Sequence, residues 1–430
     1  MSQNCYFPLK KGKAASETSF GINLLAFCIA TSFLPLAYNF GLKNTPYLFL
    51  LYACLLTVFQ TFFEYLFFKR TSVLARWKIR RPVSLKRVAY KEITFFVTIG
   101  VIAFFYWLFP VYHSRMFTTE YFPFLKCLVP LMIILSIPYF CLMDKIDEEP
   151  DDVYYKIGYA IAHFKKTLTR FEFSNYVRIW LVKAFWLALM QPAATNHIDW
   201  LMGLISDISV KDLTITVLGA STFCFFIDLA YASTGYLMNL KILNSQTRTA
   251  EPSLFGWVVA VMCYWPFWGV LFYPYFFKYT KFNWQQIIPE QNPIWWIWFT
   301  MIIVLELLYA LATVAAGIRF SNLTYRGLWN TGLYKYTKHP AYVFKNISWW
   351  LISVPFMAQP FSKAFRLCLL LFANNIIYYL RARTEERHLS HYPEYVEYAQ
   401  MMNDKSIFRW VAKLLPFLKY KALQKKDRLF

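Results

Sequence analysis

Ile294-Trp-Trp-Ile-Trp-Phe-Thr-Met-Ile-Ile-Val-Leu-Glu-Leu-Leu-Tyr-Ala-Leu-Ala-Thr-Val-Ala-Ala-Gly-Ile318 decides the fold class, because it is one long apolar run with a single formal charge, Glu306. About 20 apolar residues are what a helix needs to cross the hydrocarbon region of a bilayer. The rest of the chain is built alike. Of 430 residues, 58% are hydrophobic, 21% aromatic and only 16% charged, whereas soluble domains have about 45–50% apolar and 25% charged residues. The apolar residues come in long blocks instead of the alternating patterns of a soluble core. Most of the length is therefore spent crossing a membrane.

Seven blocks of this kind precede the quoted one: Phe20–Phe40, Pro46–Phe68, Phe95–Tyr112, Phe122–Met143, Val177–Met190, Leu213–Leu237 and Phe255–Phe277. Val177–Met190 is the weakest, being short and carrying Lys183. Two more follow, Ala341–Phe356 and Lys363–Leu380, separated by a short segment containing Pro360, and they predict a tight helical hairpin. The expected fold is all-α, a polytopic integral membrane protein of about eight transmembrane helices plus a C-terminal hairpin.

Orientation follows from Lys and Arg, which short cytoplasmic loops retain. Lys69, Arg70, Arg76, Lys78, Arg80, Arg81, Lys86, Arg87 and Lys91 crowd one segment, which is placed inside. Counting crossings from there puts Lys10, Lys11 and Lys13 inside, Ser114–Tyr121 and Lys281–Asn292 outside, and Arg319–His339 with the C-terminal tail inside. Both termini are thus expected in the cytoplasm. The same bias accounts for the net charge of +21, since basic residues spread over juxtamembrane loops and the tail favour anionic lipid. No nucleic acid partner is expected. The eight Cys are scattered without metal-ligand spacing, so they read as packing residues and no metal is expected.

The polar, basic N-terminus runs into a block long enough to remain as an anchor, so no cleavable signal is expected. Neither repeats nor low-complexity linkers are evident. Asp144–Tyr176 is the one long polar insertion, with an acidic run Asp147-Glu-Glu-Pro-Asp-Asp152 followed by Lys165-Lys166. It reads as a solvated loop with an amphipathic surface helix. The expected organisation is a multi-span region over 1–290, a second membrane domain over 291–410 and a basic tail over 411–430.

Chemistry is sought where polar residues crowd a membrane boundary. Asn330-Thr-Gly-Leu-Tyr-Lys-Tyr-Thr-Lys-His-Pro-Ala-Tyr342 is one such place. Gly332 permits an unusual dihedral or close backbone approach. His339 precedes a proline and so ends a loop. Pro340 suits a first helical turn, whose N–H groups and positive dipole end would face whatever the loop encloses. A plain interfacial loop is the alternative. The second place is Arg381-Ala-Arg-Thr-Glu-Glu-Arg-His388, followed by Tyr392, Tyr395 and Tyr398. A helix would pair Arg381 with Glu385 and Arg383 with Glu386. A solvated charged helix is the alternative there. The hairpin enters the membrane and returns, so both clusters end on one face and enclose one cleft.

These residues resemble the isoprenylcysteine carboxyl methyltransferases and the related phospholipid methyltransferases. The likeness rests on Gly332-Leu-Tyr334, Lys338-His-Pro340 and Tyr342, then, after the hairpin, Arg381-x-Arg-Thr-Glu-Glu386 and Tyr395-x-x-Tyr398. It covers about 90 residues at the C-terminal end and says nothing of the first 300 or so. It implies cytoplasmic segments that enclose S-adenosylmethionine and a lipid or lipid-linked acceptor arriving from the membrane, either a prenylcysteine carboxylate or a lipid amine.

By that resemblance, Gly332, Tyr334, Lys338, His339, Pro340 and Tyr342 would line the cofactor from the first motif, and Glu385, Glu386, Tyr395 and Tyr398 from the second. A carboxylate suits a ribose diol or an amino group, and tyrosines stack on adenine. Arg381 or Arg383 would hold a carboxylate of cofactor or substrate, and these two with Glu386 are the expected catalytic residues. Two departures stand out: Lys338 replaces the usual arginine, losing bidentate geometry, and Phe344-Lys-Asn346 stands where a glycine commonly follows the tyrosine. Lys345, Asn346, Trp349 and Glu306 are therefore candidates for acceptor contact. A carboxylate acceptor needs no base, whereas an amine would need one, with His339, Glu385 or Glu386 as candidates.

Two other readings remain open. The sterol reductases, which use NADPH, also pair a His-Pro loop with a charged aromatic stretch across a membrane hairpin. Glu64, Asp228 and Glu306 inside predicted spans would suit a transporter, although repeated halves and paired broken helices are not evident.

Overall fold

The computed structural model describes residues 16–43, 46–68, 77–165, 167–206, 213–271 and 284–422. Lys10, Lys11, Lys13, Lys69, Arg70, Arg76 and Lys166, residues 272–277 of the seventh block, 281–283 of the expected outer loop and 425–428 of the tail lie outside them.

The helices run in chain order as α1 (Phe20–Ser32), α2 (Leu34–Asn39), α3 (Pro46–Phe67), α4 (Leu85–Leu108), α5 (Phe122–Ile146), α6 (Val153–His163), α7 (Arg170–Ser206) and α8 (Leu213–Leu237). They continue as α9 (Leu254–Val261), α10 (Phe267–Leu271), α11 (Trp284–Ile287), α12 (Ile294–Ala316), α13 (Pro340–Ser353), α14 (Phe361–Leu389), α15 (Pro393–Lys405) and α16 (Arg409–Leu414). Strand is confined to Thr249–Ala250 and Thr324–Tyr325 among the described residues. The fold is all-α and polytopic. Six stretches are long and apolar enough to cross a membrane among the described residues: Phe20–Asn39, Tyr47–Phe67, Leu85–Leu108, Phe117–Ile146, Ile294–Arg319 and Phe361–Leu389.

Several boundaries differ from the sequence expectation for physical reasons. The third block starts earlier, at Leu85, because the Ser84 hydroxyl accepts from the Arg87 N–H and caps the helix. Val177–Met190 lies inside the 37-residue α7. The seventh block breaks into α9 and α10 around Pro266, which lacks an N–H and clashes with the preceding turn. The first hairpin arm, α13, has 14 residues, about 21 Å of rise, short of a full crossing. By contrast α14 runs 29 residues without a break and carries Arg381–Glu386 on its last turns.

The chain divides into two compact units. One comprises Leu25–Met202 and Ser233–Ala250. Here α6 crosses α4 so closely that a Cβ on Gly158 would lie 1.8 Å from the Tyr90 carbonyl oxygen. In the acidic run expected to be solvated, Glu148, Glu149 and Asp151 are exposed, but three of its carboxylates are also tied to basic side chains. Asp147 pairs with Lys241, Glu148 with Arg80 at 2.8 Å, and Asp152 with the fully buried Lys91 at 3.2 Å. Buried Asp144 accepts from Arg87 Nε at 2.7 Å and from the Ser84 N–H at 2.7 Å.

The other unit comprises Met1–Leu24, Gly203–Ala232 and Glu251–Phe430. In it α12 packs on α13, and α14 packs on α9 and α13. The segment before α1 straps the loop that follows α12: the Glu17 N–H donates to Leu328 O at 2.7 Å, the Phe20 N–H to Thr331 Oγ1 at 3.1 Å and Asn23 Nδ2 to Val314 O at 2.8 Å. Leu328, from the same loop, forms one buried cluster with Tyr395, Tyr398, Ala399, Met402 and Tyr420.

Candidate functional site

The loop between α12 and α13 carries the first motif. Gly332 has φ +55°, in the left-handed region, and a Cβ there would lie 2.8 Å from the Phe20 ring. The close approach expected at Gly332 is thus to the chain's own strap. His339 ends the loop as the residue before α13, and Pro340 occupies the first helical turn. The loop is fastened from outside by Tyr398, whose hydroxyl donates to Tyr334 O at 2.7 Å.

Glu386, 4% exposed, gathers the two motifs. Its Oε1 lies 2.7 Å from Lys338 Nζ and 3.2 Å from His339 Nε2, and its Oε2 accepts from Arg383 Nη1 at 2.6 Å. Three basic side chains thus surround one carboxylate. Burial holds the Lys338 ammonium below the ordinary lysine range, against the opposing pull of Glu386. The expected pair of Arg383 with Glu386 forms. Arg381 and Glu385 do not pair.

Glu385 instead accepts from the Tyr342 hydroxyl at 2.7 Å through Oε2, and Oε1 has no hydrogen-bond partner among the described residues. Arg381, 6% exposed, donates to Asn322 Oδ1 at 2.5 Å and to the Tyr264 hydroxyl at 3.3 Å. Its guanidinium lies 5.3 Å from the centre of the Tyr264 ring and 5.0 Å from that of Tyr342. No carboxylate pairs with it among the described residues. Tyr342 also stacks on His339 at 5.4 Å and meets Tyr378 edge-on at 5.5 Å.

Tyr395 packs against Tyr398 and Tyr420, and its buried hydroxyl has no hydrogen-bond partner among the described residues. Burial raises the Tyr334 hydroxyl above the usual tyrosine range. Lys345 lies 4.8 Å from the centre of the Tyr309 ring and 5.4 Å from that of Trp349, and Nζ donates to the Tyr309 hydroxyl at 3.5 Å. Trp349 meets Tyr378 edge-on at 5.6 Å. Asn346 serves the hairpin itself, donating to Tyr342 O and accepting from Asn375 Nδ2. Glu306, on the turn of α12 before Tyr309, accepts from Ser221 Oγ at 2.6 Å.

Four contributors escaped the motifs. Asn322 and Tyr264 hold Arg381 from a loop and from the segment between α9 and α10, and no local pattern marks them. Tyr420 returns from the tail beside Lys338 and Ser390. Asp228, conspicuous in the sequence as a charge inside a span, accepts from the Tyr309 and Thr313 hydroxyls.

Residues 296–391 match the model of the isoprenylcysteine carboxyl methyltransferase family. The methyltransferase-family segment takes in nearly all of α12, the His-Pro loop, α13 and α14. Asp228, Tyr264, Tyr395, Tyr398 and Tyr420 lie outside it. No curated protein and no solved structure matches the chain.

Proposed function

We propose that this protein is an S-adenosylmethionine-dependent methyltransferase that esterifies the carboxylate of a lipid-linked acceptor, of the prenylcysteine kind, at the cytoplasmic face. The observation that carries the reading is Arg381, a buried guanidinium held by a carboxamide, a hydroxyl and two rings. A buried charge is costly unless it is paired, and an acceptor carboxylate supplies the missing charge. Arg383 is already committed to Glu386, so Arg381 is the better of the two candidates for that carboxylate. A lipid amine would leave Arg381 only the cofactor's own carboxylate to hold and would require a base.

The polar groups left over suit S-adenosylmethionine. Glu385 keeps one oxygen for ribose hydroxyls or an amino group, and the Tyr395 hydroxyl is buried without a partner among the described residues. Tyr334 adds an aromatic face, whereas Lys338, His339 and Arg383 are taken up by Glu386. When bound, this cofactor supplies a methyl group already activated on a sulfonium sulfur. Arg381 would orient the acceptor while the rings of Tyr264, Tyr342 and Tyr378 exclude water. Such alignment supplies up to about 7–11 kcal/mol. Glu386 would hold the His-Pro loop against α14, and no proton has to move.

The test is thermal melting of the purified protein with S-adenosylmethionine or NADPH, followed by transfer of labelled methyl to a lipid carboxylate. The first ligand is expected to raise the melting temperature and the second to leave it unchanged. A shift with NADPH alone would overturn the reading in favour of a reductase.

A further inference from the structure

Resting on the carboxyl methyltransferase reading, we infer that Asn374 is a specificity-determining residue that reads an amide group in the acceptor next to the carboxylate bound by Arg381.

Asn374 is 2% exposed, and both its Oδ1 and its Nδ2 are buried without a hydrogen-bond partner among the described residues. Its neighbour Asn375 is fully used, donating to Asn346 Oδ1 at 2.5 Å and accepting from Trp350 Nε1 at 2.8 Å. The seam between the hairpin arms is therefore closed by Asn375. Asn374 takes no part in those bonds and borders another part of the hairpin.

Helical spacing says where. Leu371, Asn374, Tyr378 and Arg381 follow one another at steps of three, four and three, so they share one face of α14. Leu371 packs with Trp268, Trp349 and Trp350, and Tyr378 meets Trp349 edge-on. Asn374 is thus bracketed by two residues that touch the same indole. Below it on this face lie Leu367 and Ala364, both buried. Arg381 stands about 10 Å further along the axis at 1.5 Å per residue, and helical side chains lean back toward the N-terminus, which brings the guanidinium closer. The face therefore runs from apolar, through a carboxamide, to a guanidinium.

That order is complementary to an amphiphile with a hydrocarbon tail, an amide and a terminal carboxylate. A carboxamide with both ends free is matched by a group that offers one donor and one acceptor together, and an amide does so. A site built to hydrogen-bond such a group discriminates against the analogue that lacks it.

The test compares N-acetyl-S-farnesylcysteine, whose carboxylate is flanked by an acetamide, with S-farnesyl-3-thiopropionate, which lacks it. Wild-type protein in lipid nanodiscs is expected to prefer the first, and Asn374→Leu to lose at least about tenfold of that preference, mainly in KM. Turnover of the amide-free probe should persist. The melting temperature of Asn374→Leu without acceptor should equal or exceed that of wild type, because a buried polar group without partners is removed. An unchanged preference in an active variant overturns the inference and leaves the methyltransferase reading standing. Loss of folding or a lowered melting temperature also overturns it, since the carboxamide then serves the fold. Methylation of neither probe by wild type overturns both.

Discussion

Arg381 Nη2 donates to Asn322 Oδ1 at 2.5 Å, so the buried guanidinium of α14 rests on a neutral carboxamide. A carboxylate at residue 322 would neutralise the charge internally and leave nothing to attract an acceptor. Arg381→Gln is therefore expected to reduce kcat/KM for a carboxylate acceptor by about 30-fold to several thousand-fold, the equivalent of about 2–5 kcal/mol for a buried charged contact. The melting temperature without ligand should not fall, because a buried charge without an ionic partner is removed. Arg381→Lys should fail to rescue activity, since an ammonium lacks the planar fork that meets a carboxylate. Methyl transfer and thermal melting measured on the same samples check both parts. A large loss of stability with proportionate loss of activity would contradict them.

The adjacent carboxylates are expected to separate by phenotype. Glu386→Gln leaves Lys338, His339 and Arg383 around a neutral amide, and breaking a buried ionic cluster costs about 3–5 kcal/mol. Glu385→Gln disturbs one hydrogen bond from Tyr342, worth about 1 kcal/mol. Stability should thus drop strongly in the first variant and little in the second. Calorimetric titration with S-adenosylmethionine should show the reverse emphasis, with folded Glu385→Gln binding weakly. Equal stability losses would remove the distinction.

Tyr398 supplies a pH signature. Its hydroxyl donates to Tyr334 O, and burial raises it well above the usual tyrosine range. A tyrosine whose folded value is raised contributes stability that is fully present below the unfolded value and is lost as pH rises through the folded one. Tyr398→Phe should cost about 1 kcal/mol at neutral pH. The gap between wild type and variant should stay constant up to about pH 10 and narrow above it. Stability followed by denaturation between pH 7 and 11 checks this, and a gap that widens with pH would refute it.

Much of this architecture is legible because membrane crossing is written in composition. A run such as Ile294–Ile318 admits few alternatives to a helix, and Pro340 and Pro360 mark where the hairpin begins and turns. The joining of Lys338 and His339 to Glu386 follows from the same logic, since a hairpin returns both polar ends to one level. Pairing inside the motif was less legible. Helical spacing allows Arg381 to meet either Glu385 or a partner elsewhere, and Asn322, reached only after the chain folds, wins. Tyr264 and Tyr420 were hidden for the same reason, being brought in by tertiary packing with no local pattern. The ion pairs of the acidic run Asp147–Asp152 are hidden from the sequence because Arg80, Lys91 and Lys241 are distant in it.

Asp228 shows how a residue outside the methyltransferase-family segment is joined to it. The Tyr309 hydroxyl donates to Asp228 Oδ2 and accepts from Lys345 Nζ at 3.5 Å, so it stands between an ammonium and a carboxylate. Neither charge has another ionic partner among the described residues. Asp228→Asn should strand the Lys345 charge and Lys345→Met should strand that of Asp228, each at a cost of about 3–5 kcal/mol. In the double variant neither charge is left alone, so its loss should fall short of the sum of the singles by about 1–3 kcal/mol. Tyr309→Phe removes the bridging hydroxyl and should weaken this coupling while leaving the ring beneath Lys345. Unfolding of the four proteins in mixed micelles, with and without the tyrosine hydroxyl, measures both quantities. Additive losses would show that the two charges do not act through Tyr309.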